Sequence, residues 1–170
     1  MPKKLAVIGI GNTLRRDDGI GVIILESLHD KYKESLLKTE KERLFNNYKR
    51  EAIDYLNFGI SSLDLIYRLQ DYDLALVIDG IAADLLPGEL KIFSLEDTTV
   101  IKNNSAVSSH ELNLKDIFIL TRDFGIKTKI FVAGIQVQNV SFGESLSEPL
   151  KENLVQITKQ IDKFIQERLL

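Results

Sequence analysis

The sequence predicts an α/β domain in which a mostly parallel sheet carries helices on both faces. Short apolar runs typical of buried strands alternate with segments whose apolar residues recur at helical spacing. A length of 170 residues is enough for one good hydrophobic core. We therefore expect residues 1–170 to form a single domain.

The strands are predicted from their apolar runs and from the turns that follow them. The first is the continuous apolar run LAVIGI, Leu5–Ile10. The fourth follows the third through a short turn containing Pro87 and Gly88, which favours an antiparallel strand near the sheet edge. The second to fifth predicted strands cover residues 52–58, 72–78, 89–95 and 129–135.

Four helices are predicted between and after these strands. The first begins near Ile20 and leads into a segment rich in Lys and Glu, about 31–50, which we interpret as a solvated excursion or as a docking surface. The second follows Ser61 or Ser62 and has Leu63, Ile66 and Tyr67 at helical spacing. A capping box at 108–111 opens the third, and the fourth covers about 148–170.

Composition excludes several classes of function. With 44% hydrophobic and 28% charged residues, the chain is expected to be globular, and its net charge of −3 gives no reason to expect nucleic acid or an anionic membrane. No run approaches the roughly 20 apolar residues of a membrane span. The sequence has no cysteine, which removes disulfides, thiolate zinc sites and a cysteine nucleophile and is compatible with the cytoplasm, where we expect the protein.

The loop after the first strand is the strongest candidate for a site. It contains two glycines and then the adjacent acids Asp17 and Asp18, at the strand end where open α/β sheets bind ligands. A dinucleotide fingerprint would need a third glycine where Leu14 stands and an acid after the second strand, where Asn57 stands; a P-loop is absent. A nucleotide-binding module is therefore the less favoured alternative.

Four polar residues have two interpretations each when the residues are considered alone. Asp17 and Asp18 are either solvated acids at a helix start or oxygen ligands and proton acceptors. Asp79, which directly follows the third strand, is either a loop-capping acid or a partner of Asp18. His110 lies in the first turn of a predicted helix, as a surface residue or as a ligand.

Four motifs, taken together, resemble one protein family. GIGNTLRRDDGIG resembles the signature G-x-G-N-x-L-x-x-D-[DE]-x-x-G of the hydrogenase maturation endopeptidases. The segments LALVIDGI around Asp79, VSSHEL around His110, and GIQVQNVSFGESLSEPL at 134–150 match the family in the same order. The similarity therefore spans most of the chain.

The resemblance implies a fold, a function and a site. The fold is a three-layer α/β/α domain with a five-stranded sheet of order 2-1-3-5-4 and strand 4 antiparallel. The function is removal of the C-terminal extension from the large-subunit precursor of a nickel–iron hydrogenase. Asp18, Asp79 and His110 would be the metal-reading and catalytic residues, although the family more often has Glu at the position of Asp18.

The nickel in this scheme is supplied by the precursor, which is also the expected partner, and the protein itself is expected to be a monomer. Hydrolysis would use either a water attacking a carbonyl polarised at the metal or a carboxylate acting as general base. A non-cleaving assembly partner of the precursor remains the main alternative.

Overall fold

The computed structural model describes residues 4–40, 53–60, 63–97 and 114–169. Its five strands form one sheet in the order β2-β1-β3-β5-β4. β1, β2, β3 and β5 are mutually parallel, and β4 pairs with β5 in the antiparallel direction. The predicted sheet order and the antiparallel fourth strand are therefore confirmed. The strands are β1 Leu5–Ile10, β2 Ile53–Gly59, β3 Leu74–Ile81, β4 Leu90–Ser94 and β5 Lys129–Gln136.

Helices cover both faces of the sheet, as predicted. One buried cluster joins one face of β1, β3 and β5 to α1 and α4, and a second cluster joins the other face to α2 and α3. The predicted helix starts at 61–62 and 108–111, and residues 41–50 of the charged segment, lie outside the described residues. The helices are α1 Ile20–Glu40, α2 Leu63–Leu69, α3 Leu114–Asp123 and α4 Glu148–Phe164, the last followed by a π-helical turn, Ile165–Leu169.

Two details of the prediction are wrong. β3 does not end before Asp79 but continues to Ile81, because β5 runs alongside and pairs Asp79 with Gly134. In α2, Leu63 and Tyr67 are exposed, and the buried face is formed by Leu65, Ile66 and Leu69. Packing against the apolar face of β1 and β3 selects that face, which helical spacing alone could not.

Two glycines let the start of α1 lie directly on the backbone of the sheet. A Cβ at Gly21 would stand 2.2 Å from the carbonyl oxygen of Ile78 and 2.3 Å from that of Ile10. A Cβ at Gly11, whose φ is +138°, would stand 2.0 Å from the carbonyl oxygen of Asp18. The turn that carries the two acids therefore has no room for a side chain between it and the ends of β1 and β3.

We predict that Gly21→Ala lowers the free energy of unfolding by about 3 kcal/mol or more, because the added methyl must push α1 off two strand ends. Gly125→Ala is the control, since Gly125 has φ +66° but no atom within 4 Å of an added Cβ. That variant should lose only about 1–2 kcal/mol, the cost of a left-handed conformation. Urea denaturation of both variants measures the difference, and equal losses would contradict the close approach.

Candidate active site

The fold brings Asp18 and Asp79 to the same edge of the sheet. Asp18 lies in the 3₁₀ turn Arg16–Gly19 that follows β1, and Asp79 lies near the end of β3. β1 and β3 are adjacent and parallel, so both carboxylates stand at the carboxyl ends of neighbouring strands. With β2 on the far side of β1, this edge is the topological switch point of the sheet, where open α/β folds bind ligands.

Both carboxylates are removed from water, with exposed fractions of 4% for Asp18 and 3% for Asp79. Asp18 accepts a hydrogen bond from the backbone N–H of Asn12 at 3.1 Å. Burial, and then the charge of Asp18, raises the pKa of Asp79 to about 8, against a smaller lowering by a hydrogen bond from the backbone of Gly80. The pair therefore resists double ionisation, and either a proton or a cation would relieve it.

The third predicted ligand, His110, lies outside the described residues. Within 4–40, 53–60, 63–97 and 114–169, no group of three or more His, Cys, Asp or Glu residues is arranged to hold a metal ion. The structure thus brings two of the three predicted site residues together, and the role of His110 stays a prediction. Two carboxylates offer oxygen ligands of the kind that hard or borderline divalent ions accept.

Asp17 has a structural role that the sequence did not reveal. Its side chain is fully buried and accepts hydrogen bonds from the backbone N–H groups of Gln138 at 2.9 Å, Asn139 at 2.8 Å and Ser147 at 2.6 Å. The Ser147 hydroxyl donates a fourth at 2.8 Å. The interpretation of Asp17 as a solvated acid at a helix start is therefore wrong, because four donors from the loop after β5 replace its water.

Backbone hydrogen bonds join the same two loops. The N–H of Gly143 donates to the carbonyl of Leu14 at 2.9 Å, that of Arg16 to Gly143 at 2.7 Å, and that of Asp17 to Asn139 at 3.1 Å. Among the described residues, Arg16 is the non-glycine residue whose φ is positive, at +46°. No local signal predicts this pairing, since the partners are more than 120 residues apart; the nearest clue is the motif at 134–150.

Comparison with known proteins identifies the family. A family model described as hydrogenase maturation protease matches residues 41–163. A putative hydrogenase maturation protease of Methanocaldococcus jannaschii is 30% identical over 168 residues, covering 97% of this chain and 90% of that protein. The chain belongs to the hydrogenase maturation protease family. The resemblance found in the four motifs is therefore confirmed, and with it the prediction of a protease of hydrogenase maturation.

A further relative and a solved structure are also similar to this chain. The hydrogenase 2 maturation protease of Escherichia coli is 25% identical over 134 residues, covering 78% of this chain and 72% of that protein. The structure of the hydrogenase maturating endopeptidase HybD from Escherichia coli superposes with a TM-score of 0.74 at 21% identity, covering 96% of this chain and 93% of that one. Among the described residues, no helix has the length and apolarity needed to cross a membrane.

For this hydrogenase maturation protease, we predict that Asp17→Asn lowers the free energy of unfolding by about 2–4 kcal/mol. An amide loses the charge and turns an NH₂ group toward buried N–H donors, and hydrogen bonds to charged groups are worth about 1.5–3 kcal/mol each. Asp18→Asn is the matched control and should lose less, because it also removes a charge that opposes the charge of Asp79. Chemical denaturation measures the free energy of unfolding of both variants. A loss below about 1 kcal/mol for Asp17→Asn would show that the four hydrogen bonds do not stabilise the fold.

We predict the opposite effect for Asp79→Asn. The pKa of Asp79 is raised from 3.8 to about 8, so the folded protein binds more protons than the unfolded chain between these values. The stability of the wild-type protein should therefore fall as pH rises from about 4 to about 8. Asp79→Asn removes this titration and should be the more stable protein at pH 8, by at least about 1.4 kcal/mol, the equivalent of one pKa unit.

The measurement is urea denaturation of metal-free protein at several pH values between 5 and 8.5. Asp84→Asn, an exposed acid in the connection between β3 and β4, is the control and should follow the wild-type profile. Identical pH profiles for wild type and Asp79→Asn would refute the raised pKa.

Proposed function

We propose that this protein is the endopeptidase that removes the C-terminal extension of a nickel-loaded nickel–iron hydrogenase large-subunit precursor. We further propose that it recognises the nickel of that precursor through Asp18, Asp79 and His110. The observation that carries the proposal is the buried pair of Asp18 and Asp79 at the switch point of the sheet. Membership of a protease family supports the hydrolytic reaction, and the acid pair supports the recognition of a cation.

The electrostatics of the pair favour a divalent ion. Two buried carboxylates repel each other and lose the hydration that each would have in water. A cation that enters with the substrate offsets both the repulsion between the carboxylates and their lost hydration. An imidazole from His110 would complete a mixed oxygen and nitrogen ligand set suited to first-row divalent ions. Because nickel belongs to the substrate, only loaded precursor would gain this interaction.

The described acids also provide for proton transfer. The sequence has no cysteine to act as nucleophile, so an attacking water is the simplest source of the new bond. A carboxylate of the Asp18–Asp79 pair can take the proton of that water as general base, and the precursor's nickel can polarise the carbonyl under attack. Both routes use the same side chains, and the proposal does not depend on which one dominates.

The rival nucleotide-binding function is disfavoured by the geometry of the glycine loop. The backbone of Asp18 packs directly against Gly11, since its carbonyl oxygen lies 2.0 Å from the position of a Cβ there, and a carbonyl oxygen would repel a phosphate. Isothermal titration with NAD and ATP should give no heat of binding.

The experiment that tests the proposal compares nickel-loaded precursor with the same precursor prepared without nickel. The shortened large subunit is followed by gel electrophoresis and intact mass. We predict that the wild-type protein cleaves only the loaded form. Asp18→Asn, Asp79→Asn and His110→Ala should each lower the rate by about 100-fold or more, the contribution of a group that acts directly in proton transfer.

Matched controls separate loss of charge from loss of a site residue. Asp84→Asn removes an exposed acid from the same sheet edge, and His29→Ala removes a histidine that stacks on Tyr55 of β2. Both should cleave at the wild-type rate. Cleavage of nickel-free precursor would exclude nickel recognition, binding without shortening would show an assembly partner, and near-normal cleavage by folded Asp79→Asn would remove Asp79 from the site.

A further inference from the structure

Two large apolar side chains stay exposed on the loops that pair with each other next to the Asp17–Asp18 turn. Leu14 is 59% exposed and Phe142 is 82% exposed. They belong to the two loops that pair through Gly143, whose N–H donates to the Leu14 carbonyl. Together with Arg15 they form a surface that we call the Leu14–Phe142 ridge.

The ridge is held firmly although its side chains are exposed. Asp17 fixes both ends of the loop that carries Phe142, through Gln138 and Asn139 at one end and Ser147 at the other. Arg15 supports the middle of the loop: its Nε donates to the carbonyl of Val140 at 3.1 Å, and its guanidinium carbon lies 5.7 Å from the centroid of the Phe142 ring. An exposed aromatic side chain on a fixed backbone is preorganised for binding, because little further freedom is lost when a partner covers it.

Arg15 brings a positive charge to the ridge, and Glu144, an exposed acid, follows Phe142 by two residues on the same loop. Within the described residues, neither Arg15 nor Arg16 takes part in an ion pair. Asp17, the acid next to them in the chain, directs its carboxylate to the four donors of the loop after β5. An acidic group from a partner would therefore complement the guanidinium of Arg15, which lies beside the Phe142 ring.

The position of the ridge says where on a substrate it would bind. Residues 14–16 lead directly into Asp17 and Asp18, and the 3₁₀ turn that begins at Arg16 carries Asp18 to the sheet edge. A polypeptide lying on the ridge would therefore lie next to the turn that carries Asp18.

We propose that the Leu14–Phe142 ridge binds the precursor polypeptide next to the bond that is cut. An apolar side chain of the precursor covers Leu14 and Phe142, and a carboxylate of the precursor faces Arg15. This inference rests on the proposed function, because it takes the hydrogenase large-subunit precursor as the occupant.

The test uses the full-length protein and nickel-loaded precursor, with Leu14→Ser, Phe142→Ser and Arg15→Glu as variants. We expect each to raise KM about tenfold or more, with kcat within about twofold of wild type, as for residues that contact substrate away from the reacting bond. Phe124→Ser, at a phenylalanine that is 58% exposed just after α3, is the control and should keep the wild-type KM. Circular dichroism and sedimentation velocity are recorded for every variant.

Each result decides for or against the ridge. Wild-type KM for folded Leu14→Ser and Phe142→Ser overturns the inference, as does a fall in kcat at constant KM. A changed sedimentation coefficient with unchanged KM would assign the ridge to self-association and overturns it as well. If wild-type protein binds the precursor without shortening it, the proposed function fails instead. The precursor Kd of the variants then decides, with a tenfold weakening supporting the ridge and an unchanged Kd overturning it.

Discussion

The site depends on one constraint, the direct contact of the turn after β1 with the backbone ends of β1 and β3. Gly21 permits the contact from the side of α1 and Gly11 from the side of the loop. Because the start of α1 lies directly on the strand backbone, the buried turn residue Asp18 comes to the level of Asp79 on β3, the neighbouring strand of the sheet. The glycines are therefore required by the position of the acids, although no glycine acts chemically.

The two adjacent acids on this turn have opposite effects on the stability of the folded protein. Asp17 is buried against four donors of the loop after β5, so the protein itself stabilises its charge. Asp18 faces another acid, and its charge contributes to the raised pKa of Asp79. The first arrangement stabilises the fold, whereas the second costs stability. An arrangement that costs stability at a ligand-binding edge is the usual mark of function rather than of structure.

Much of the fold follows from sequence because apolar runs and helical spacing are local signals. β1 begins and ends where its apolar run does, and β4 is antiparallel because a short turn leaves no room for a crossover. The order of the strands came only from the family resemblance, since spacing along the chain does not say which strands become neighbours. Local signals place the end of β3 too early, because pairing with β5, more than 50 residues away, extends the strand through Asp79.

The site was predictable in part for the same reason. Asp18 lies after β1 and Asp79 near the end of β3, and neighbouring parallel strands bring such residues to one edge, so resemblance and topology together predict that they meet. Asp17 could not be distinguished from Asp18 by any local rule, because both are acids at a helix start. What separates them is the loop at 138–147, whose backbone N–H groups donate to the carboxylate of Asp17.

A family signature of this kind combines residues with different physical roles, and a loss of activity on substitution does not distinguish a structural role from a direct one. Substitution of a glycine, of Asp17 or of Asp18 would each disturb the same edge of the sheet. The free energy of unfolding distinguishes these roles. Removing an acid that accepts hydrogen bonds from the protein leaves buried donors without an acceptor and lowers stability, whereas removing one acid of a repelling pair removes the repulsion between them. By that criterion the signature contains a scaffold, formed by Gly11, Gly21 and Asp17, around Asp18, the acid whose charge opposes that of Asp79. The ridge at Leu14 and Phe142 is built on the same scaffold, which is why the surface proposed to hold the substrate and the acids proposed to act on it keep a fixed relation.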